Sequence, residues 1–449
     1  MKFLLCVLIA FVEIGFADGL SEASPKPLIK DFMGINGHFQ FKPQLYAKVC
    51  RMARNYHNVN WDVKAPGDEL TFPVCPNGVN WVRDVYGKWA AEGFEIDLCV
   101  QFGTFSESNK EYQKLWQGQE AWSYAYGFEL AKAFGASGER RGVTSIEIGN
   151  EPGNDFDDGL YQKIFLQMAQ GIRDADPNLK IVTATAQTGA ADKYSKSLEE
   201  TFSSPEMKAH YDVINLHVYA TLPRQEGRQP WARSYPEDPQ IDYLKVVDAA
   251  IDFRNREAPD KEVWITEFGY DACTPEAMDK REGWAKKLNW EGQTELQQAQ
   301  YLVRSFLCFS EMDVERAYLY YFNDKDQASV HAASGLTRNF EPKPSYWAVK
   351  QLYEILGDYR FHRVASKNSK TGYVYEYKPD NEASPWVWVL WSPTGSGKEA
   401  VCTLQGLEGK KIKALSMATS SEEPQVLEID ETNMWIKVEE SPIYLLISP

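Results

Sequence analysis

The sequence predicts an α/β chain: an eight-stranded (β/α)8 barrel over residues 30–357, then a small antiparallel β-sandwich over residues 361–449. Three observations predict it. Short apolar, β-rich runs alternate with helix-length amphipathic runs eight times before residue 357, and eight is the number of βα units that closes a barrel. No glycine-rich phosphate loop follows the first strand-like run, which argues against the doubly wound open sheet. After about Phe361 the pattern becomes short strands parted by turns such as Pro393-Thr394-Gly395-Ser396-Gly397, the patterning of a sandwich.

The elements follow in order. Phe32–Asn36 reads as the first strand and Pro43–Arg51 as a helix. Met52–Tyr56 is the second strand, and Ala65–Asn77, with Pro66, Pro73 and Pro76, is a loop. Val79–Ala91 places Trp81, Val85 and Trp89 on one helical face. Strands at Glu95–Phe102, Thr144–Glu151 and Lys180–Gln187 alternate with helices at Gln119–Phe134, Leu160–Asp174 and within Tyr194–Ala209. The sixth strand, Val213–Tyr219, opens into a proline-rich loop, Thr221–Pro239. Helix Ile241–Arg256, strand Glu262–Phe268, helix Thr294–Ser310, strand Ala317–Asn323 and helix Ser345–Leu356 complete eight units. Asp358–Lys367 reads as the connection to the second domain. Its strands are expected at Tyr373–Tyr377, Trp386–Trp391, Val401–Leu404, Lys411–Met417, Gln425–Ile429, Met434–Val438 and Ile443–Ile447.

The N-terminus reads as an export signal. Met1-Lys2 is basic, Phe3–Phe16 is apolar apart from Glu13, and Gly15-Phe16-Ala17 offers small residues for cleavage after Ala17. Residues 1–17 are therefore expected to be a signal peptide and the protein to be secreted or periplasmic. No later run is long enough for a spanning helix, so no membrane insertion is expected. The net charge of −16 argues against nucleic acid as a partner. Six cysteines follow the leader (Cys50, Cys75, Cys99, Cys273, Cys308 and Cys402) with no CxxC pair, and Cys99 and Cys308 lie in apolar runs as small core residues.

Chemistry concentrates at strand ends. Ile146-Glu147-Ile148-Gly149-Asn150-Glu151-Pro152 is an apolar strand that proline stops just after a glutamate. Val263-Trp264-Ile265-Thr266-Glu267-Phe268-Gly269 is a second such run ending in a glutamate. Barrel active sites form at the C-terminal ends of strands, so Glu151 and Glu267 are the candidate catalytic pair, and two facing carboxyls are what glycoside hydrolysis needs. Asn215, His217 and Tyr219 alternate with Leu216 and Val218, so the polar set shares one face. Tyr219 is expected to reach Glu267, and His217 to orient it or meet a sugar hydroxyl. A core histidine is the plain alternative for His217. Asn150 suits a sugar 2-hydroxyl, and Arg54 would keep a nearby nucleophile ionised. Glu147 is expected to pair with Arg54 inside the barrel. Asn36 ends the first strand and joins the substrate-binding candidates. Tyr320, Tyr321 or Phe322 on the eighth strand should supply a sugar platform, with Tyr320 and Phe322 the chosen candidates. Asp155, Asp157, Asp158 and Gly159 look like part of a calcium loop, but Leu166 stands where its last glutamate belongs. No metal and no cofactor is expected.

These motifs resemble the clan A retaining glycoside hydrolases, whose TIM barrels carry Asn-Glu after the fourth strand and Glu after the seventh. Asn150-Glu151-Pro152, Thr266-Glu267-Phe268-Gly269 and His217-x-Tyr219 stand at those places. Within the clan, Lys30–Asn36 and Gly335-Leu336-Thr337…Pro342–Ala348 look most like family 39 and its relatives. The resemblance implies a retaining hydrolase that cleaves β-glycosidic bonds in an oligo- or polysaccharide, with carbohydrate as its partner, and the leader makes it a secreted one. A family 5-like endo-β-glycanase and a non-catalytic carbohydrate-binding barrel are the alternatives.

Overall fold

The computed structural model describes residues 25–37, 42–102, 109–135, 142–152, 158–186, 189–223, 231–381, 385–430 and 432–448. The expected signal peptide, and Asp155 and Asp157 of the acidic stretch, lie outside them. Eight parallel strands close a barrel in sequence order: β1 (Met33–Asn36), β2 (Met52–Asn58), β3 (Glu95–Gln101), β4 (Val143–Ile148), β5 (Lys180–Thr183), β6 (Val213–Val218), β7 (Glu262–Phe268) and β8 (Arg316–Leu319). Outward residues such as Ile146, Ile148, Ile214, Leu216, Val263 and Ile265 are fully buried in one large apolar core with the surrounding helices.

The barrel's interior is layered. Met52, Val182, Val213, Trp264 and Tyr318 form a buried apolar plug of their own. Above it the inward positions turn polar, with Arg54, Glu147, Asn215 and Thr266 all fully buried. Gly34 is required by this packing. A Cβ there would lie 2.4 Å from the Tyr318 ring.

Two irregularities position the site. β4 ends at Ile148, three residues before the expected end, because Gly149 takes φ +90°. That left-handed turn carries Asn150 and Glu151 over the barrel mouth, so alternation along the strand does not place them. The pocket around Gly149 is tight, and a Cβ would meet the Phe102 and Tyr161 rings at 3.0 and 3.2 Å. On β7 the register with β6 slips between Leu216↔Ile265 and His217↔Glu267. This bulge turns Thr266 and Glu267 alike toward the interior, the re-aiming that bulges supply beside active sites.

The second domain is a six-stranded antiparallel sheet faced by the pair Ala400–Thr403 and Trp435–Val438. Trp386–Trp391 is apolar throughout because both its faces are covered. Trp388 and Leu390 enter the sandwich core, and Val387, Val389 and Trp391 pack on the barrel side. Helix Glu295–Glu311 is wedged there, buried continuously from Gln298 to Ser310, and opens with a Thr294–Gln297 capping box. The segment read as a connection is instead the sheet's edge strand, Tyr359–Asn368. Its apolar–polar alternation is broken by register shifts at Phe361/Arg363 and Val364/Ser366, which hid it. The six cysteines from Cys50 to Cys402 are free and buried, and no helix among the described residues is long and apolar enough to cross a membrane.

Candidate active site

Arg54 organises the polar layer. Its Nε and Nη2 donate to both oxygens of Glu147 at 2.8 and 2.7 Å. Nη1 donates to Asn36 Oδ1 and to Glu267 Oε1, each at 2.8 Å, and Nη2 also reaches Asn150 Oδ1 at 2.9 Å. All five donors of the fork are thereby placed. The side chain has no exposed surface, so Arg54 cannot touch a substrate and its assignment as a binding residue is corrected to a positioning one. Asn36 is likewise buried, its amide held by the Thr266 and Leu319 carbonyls. Phe322 is also removed from the binding set, since it is fully buried and stacks on Tyr46 at 3.5 Å between ring centroids.

Glu267 sits in a cage of donors. Arg54 and the Tyr56 hydroxyl bond Oε1, and the Tyr219 hydroxyl bonds Oε2 at 2.8 Å. Burial alone would raise its pKa. The charges of His217 and Arg54 and the two phenol hydrogen bonds outweigh burial and hold the carboxyl down at about 2. Burial, and then the charge of Glu267, push both phenols well above the usual tyrosine range, so they stay donors. Tyr56 went unassigned in the sequence reading. Its signal was inward alternation two residues past Arg54 on β2.

Glu151 lies in a different environment. Its side chain is 47% exposed, against 5% for Glu267. Its Oε1 meets His217 Nδ1 at 2.8 Å, and the other ring nitrogen meets Thr266 Oγ1 at 3.0 Å. Thr266 in turn donates to Asn215 Oδ1, so Thr266 accepts from His217 Nε2–H and Nδ1 is left facing Glu151. Burial lowers the imidazole's pKa, but Glu267 and Glu151 together raise it above its ordinary value. One oxygen of Glu151, one of Glu267 and a nitrogen of His217 lie within 4.8 Å of one another. Three such atoms could reach a cation, but both oxygens of Glu267 already accept from Arg54, Tyr56 and Tyr219, which favours a charge-balanced cluster over a metal centre. Asn150 Oδ1 is taken by Arg54, so its NH2 group is the part left to donate.

A cavity of about 650 Å³ opens beside these groups, lined among others by Glu151, His217, Tyr219, Trp231, Arg233 and His331. Arg233 spans Tyr219 and Trp231, 4.3 and 5.3 Å from their ring centroids. His331 packs edge-on against Tyr219 at 4.6 Å and lies 6.0 Å from Tyr320. Tyr320 is thus the half-buried aromatic of its strand end nearest these residues, while the Tyr321 hydroxyl is spent on Ala332 O. Trp231, Arg233 and His331 lie on the loops after β6 and β8, where no periodicity marks them.

No protein-family model and no curated protein matches the chain. Solved structures do resemble it. A family 39 glycoside hydrolase from the gut symbiont Bacteroides cellulosilyticus WH2 superposes with a TM-score of 0.62 at 18% identity, covering 94% of this chain and 81% of that one. A family 30 subfamily 8 xylanase from Clostridium acetobutylicum gives 0.56 at 12% identity, over 95% and 97%. A Paenibacillus polymyxa xyloglucanase of family 44 gives 0.57 at 10% identity, over 94% and 97%. The chain has the barrel-and-sandwich fold of these glycoside hydrolases, the clan A architecture that its strand-end motifs resemble.

Proposed function

We propose that the protein is a retaining glycoside hydrolase that cleaves β-linked oligo- or polysaccharide by double displacement. The observation that carries this reading is the pair of unlike carboxyls within 4.8 Å. One oxygen of each carboxyl lies within that distance of the other, a close approach in keeping with the short separation, ~5–5.5 Å between carboxyl groups, that retaining enzymes use. Glu267, held ionised and shielded from water, is the nucleophile. It attacks the anomeric carbon and forms a glycosyl ester as the bond to the leaving oxygen breaks. Glu151, open to the cavity, gives its proton to that oxygen. It then takes a proton from water as the water attacks the anomeric carbon and frees Glu267. Asn150 offers its NH2 group to the sugar 2-hydroxyl, and Tyr320 a ring face. Similar folds act on xylan and xyloglucan, and a family 86 relative binds neoagarooctaose, which supports a polysaccharide-derived substrate. Residues 1–17 would carry the protein out of the cytoplasm to reach it.

The test is digestion of a panel of β-linked glycans by the wild type and by Glu267→Gln. An amide cannot form the ester, so cleavage should fall by roughly four orders of magnitude. Near wild-type cleavage by Glu267→Gln would refute the assignment.

A further inference from the structure

The cavity wall beside Tyr219 holds a polar group whose orientation is settled by its neighbours. Arg233 is 4% exposed. Its Nε donates to Asp271 Oδ2 at 2.9 Å, and Ser334 Oγ donates to the other Asp271 oxygen at 2.6 Å. Arg233 Nη2 lies 3.2 Å from His331 Nδ1. A guanidinium only donates, so His331 Nδ1 must be the bare, accepting nitrogen. The proton of the neutral ring is then on Nε2. Burial, reinforced by the Arg233 charge, lowers the pKa of His331 and keeps the ring neutral. Among the described residues Nε2 has no hydrogen-bond partner, and it is not among the sealed, unpartnered atoms either. Arg233 Nη1 is buried without a partner beside it. The open polar atom that His331 offers here is therefore a donor.

We infer that His331, locked as its Nε2–H tautomer by the Ser334–Asp271–Arg233 chain, is a specificity-determining residue that donates a hydrogen bond to an acceptor oxygen on the sugar bound beside Tyr219. The inference rests on the glycosidase reading for its ligand. It concerns a loop residue outside the carboxyl pair, and it makes the site select sugars by one ring substituent. A buried donor left without its acceptor is costly, so a sugar lacking that oxygen is rejected.

His331→Asn isolates the claim. His331 has φ +65°, a conformation asparagine tolerates well. The asparagine Oδ1 takes the place of Nδ1 as acceptor for Arg233, while the Nε2–H is lost together with the ring's edge contact on Tyr219, and the deoxy-sugar cycle isolates the hydrogen bond. On the oligosaccharide the wild type cleaves, kcat/KM should fall about ten-fold with the melting temperature unchanged. One monodeoxy analogue of that sugar should cost the wild type the same factor and cost His331→Asn nothing further, closing a double-mutant cycle. Wild-type kcat/KM in His331→Asn, or losses that simply add for every analogue, would overturn the inference. ¹⁵N NMR of the imidazole gives a readout that needs no catalysis. Protonated Nε2 with bare Nδ1, shifting when the sugar is titrated into Glu267→Gln protein, supports the inference. Protonated Nδ1, or an Nε2 signal that no sugar moves, refutes it. Failure of the glycosidase reading itself would appear separately, as Glu267→Gln cleaving like the wild type.

Discussion

Trp264 and Glu267 are three residues apart on one strand and live in opposite regimes. Trp264 belongs to the dry plug with Met52, Val182, Val213 and Tyr318. Glu267 lies above it among Arg54, Tyr56, Tyr219 and His217. The lower end does what any core does, removing apolar surface from water. The upper end buries charge, which is unfavourable unless each group is paired and hydrogen-bonded. It is tolerated because Arg54 is shared between two carboxylates, one on each side. Glu147 balances and fixes the guanidinium, and the guanidinium then holds Glu267 ionised. One layer is built for stability, and the other gives up stability to hold a buried carboxylate ionised.

The sharpest way to break the upper layer is Arg54→Met. It strands Glu147 and Glu267 in a buried site, and removing one partner of a buried ion pair costs about 3–5 kcal/mol. Urea melts should show that loss, and kcat/KM should fall by at least about a hundred-fold as Glu267, the proposed nucleophile, is misplaced. The pH profile should change as well. In the wild type the depressed Glu267 carboxyl contributes stability above its unfolded pKa, lost only as pH falls toward about 2. Without Arg54 that limb should move upward, and acid inactivation should begin at a higher pH.

Trp264→Ala breaks the other layer. It should cost about 3–5 kcal/mol in urea melts, like other large-to-small core changes. The kcat of the protein that remains folded should hold, because no plug residue touches either glutamate. A kcat loss as large as that of Arg54→Met would dissolve the distinction between the layers.

Much of this contrast was legible in the sequence. The strand-end glutamates followed from two apolar runs that each end in Glu, and His217-x-Tyr219 and the Glu147–Arg54 pairing from period-two alternation. Alternation alone does not describe the two strand ends. Gly149 ends β4 early, and the bulge at Thr266–Glu267 turns two successive residues inward. Phe322 lies beyond β8, which ends at Leu319, so strand alternation could not show that it faces the core. Arg54 and Asn36 stood among the binding candidates as polar residues at strand ends, but burial commits them to positioning. Arg233 and His331 reach the cavity from long loops, and only tertiary structure brings them to Tyr219. The edge strand Tyr359–Asn368 was missed because its bulges and charges mimic a linker.

Between the layers sits Asp97, and it gives the smallest and most selective test. Burial, and then the charge of Glu147, raise its carboxyl to about 7. Its Oδ1 accepts from Ser145 and its Oδ2 has no partner. A raised carboxyl costs stability as pH rises from the unfolded value of about 4 through the folded value of about 7. Asp97→Asn should therefore raise the melting temperature by a few degrees at pH 8 and have less effect at pH 5, flattening the curve between them. An equal shift at both pH values would mean the carboxyl is not a source of strain.

If Glu151 and Glu267 act as acid/base and nucleophile, the anomeric configuration of the first product must report it. Proton NMR of a β-linked substrate, recorded before mutarotation, follows the newly released sugar. Double displacement yields the β-anomer first, with the α-anomer appearing only as mutarotation proceeds. A first-formed α-anomer would mean inversion by a single displacement and would contradict the assignment of Glu267 as nucleophile.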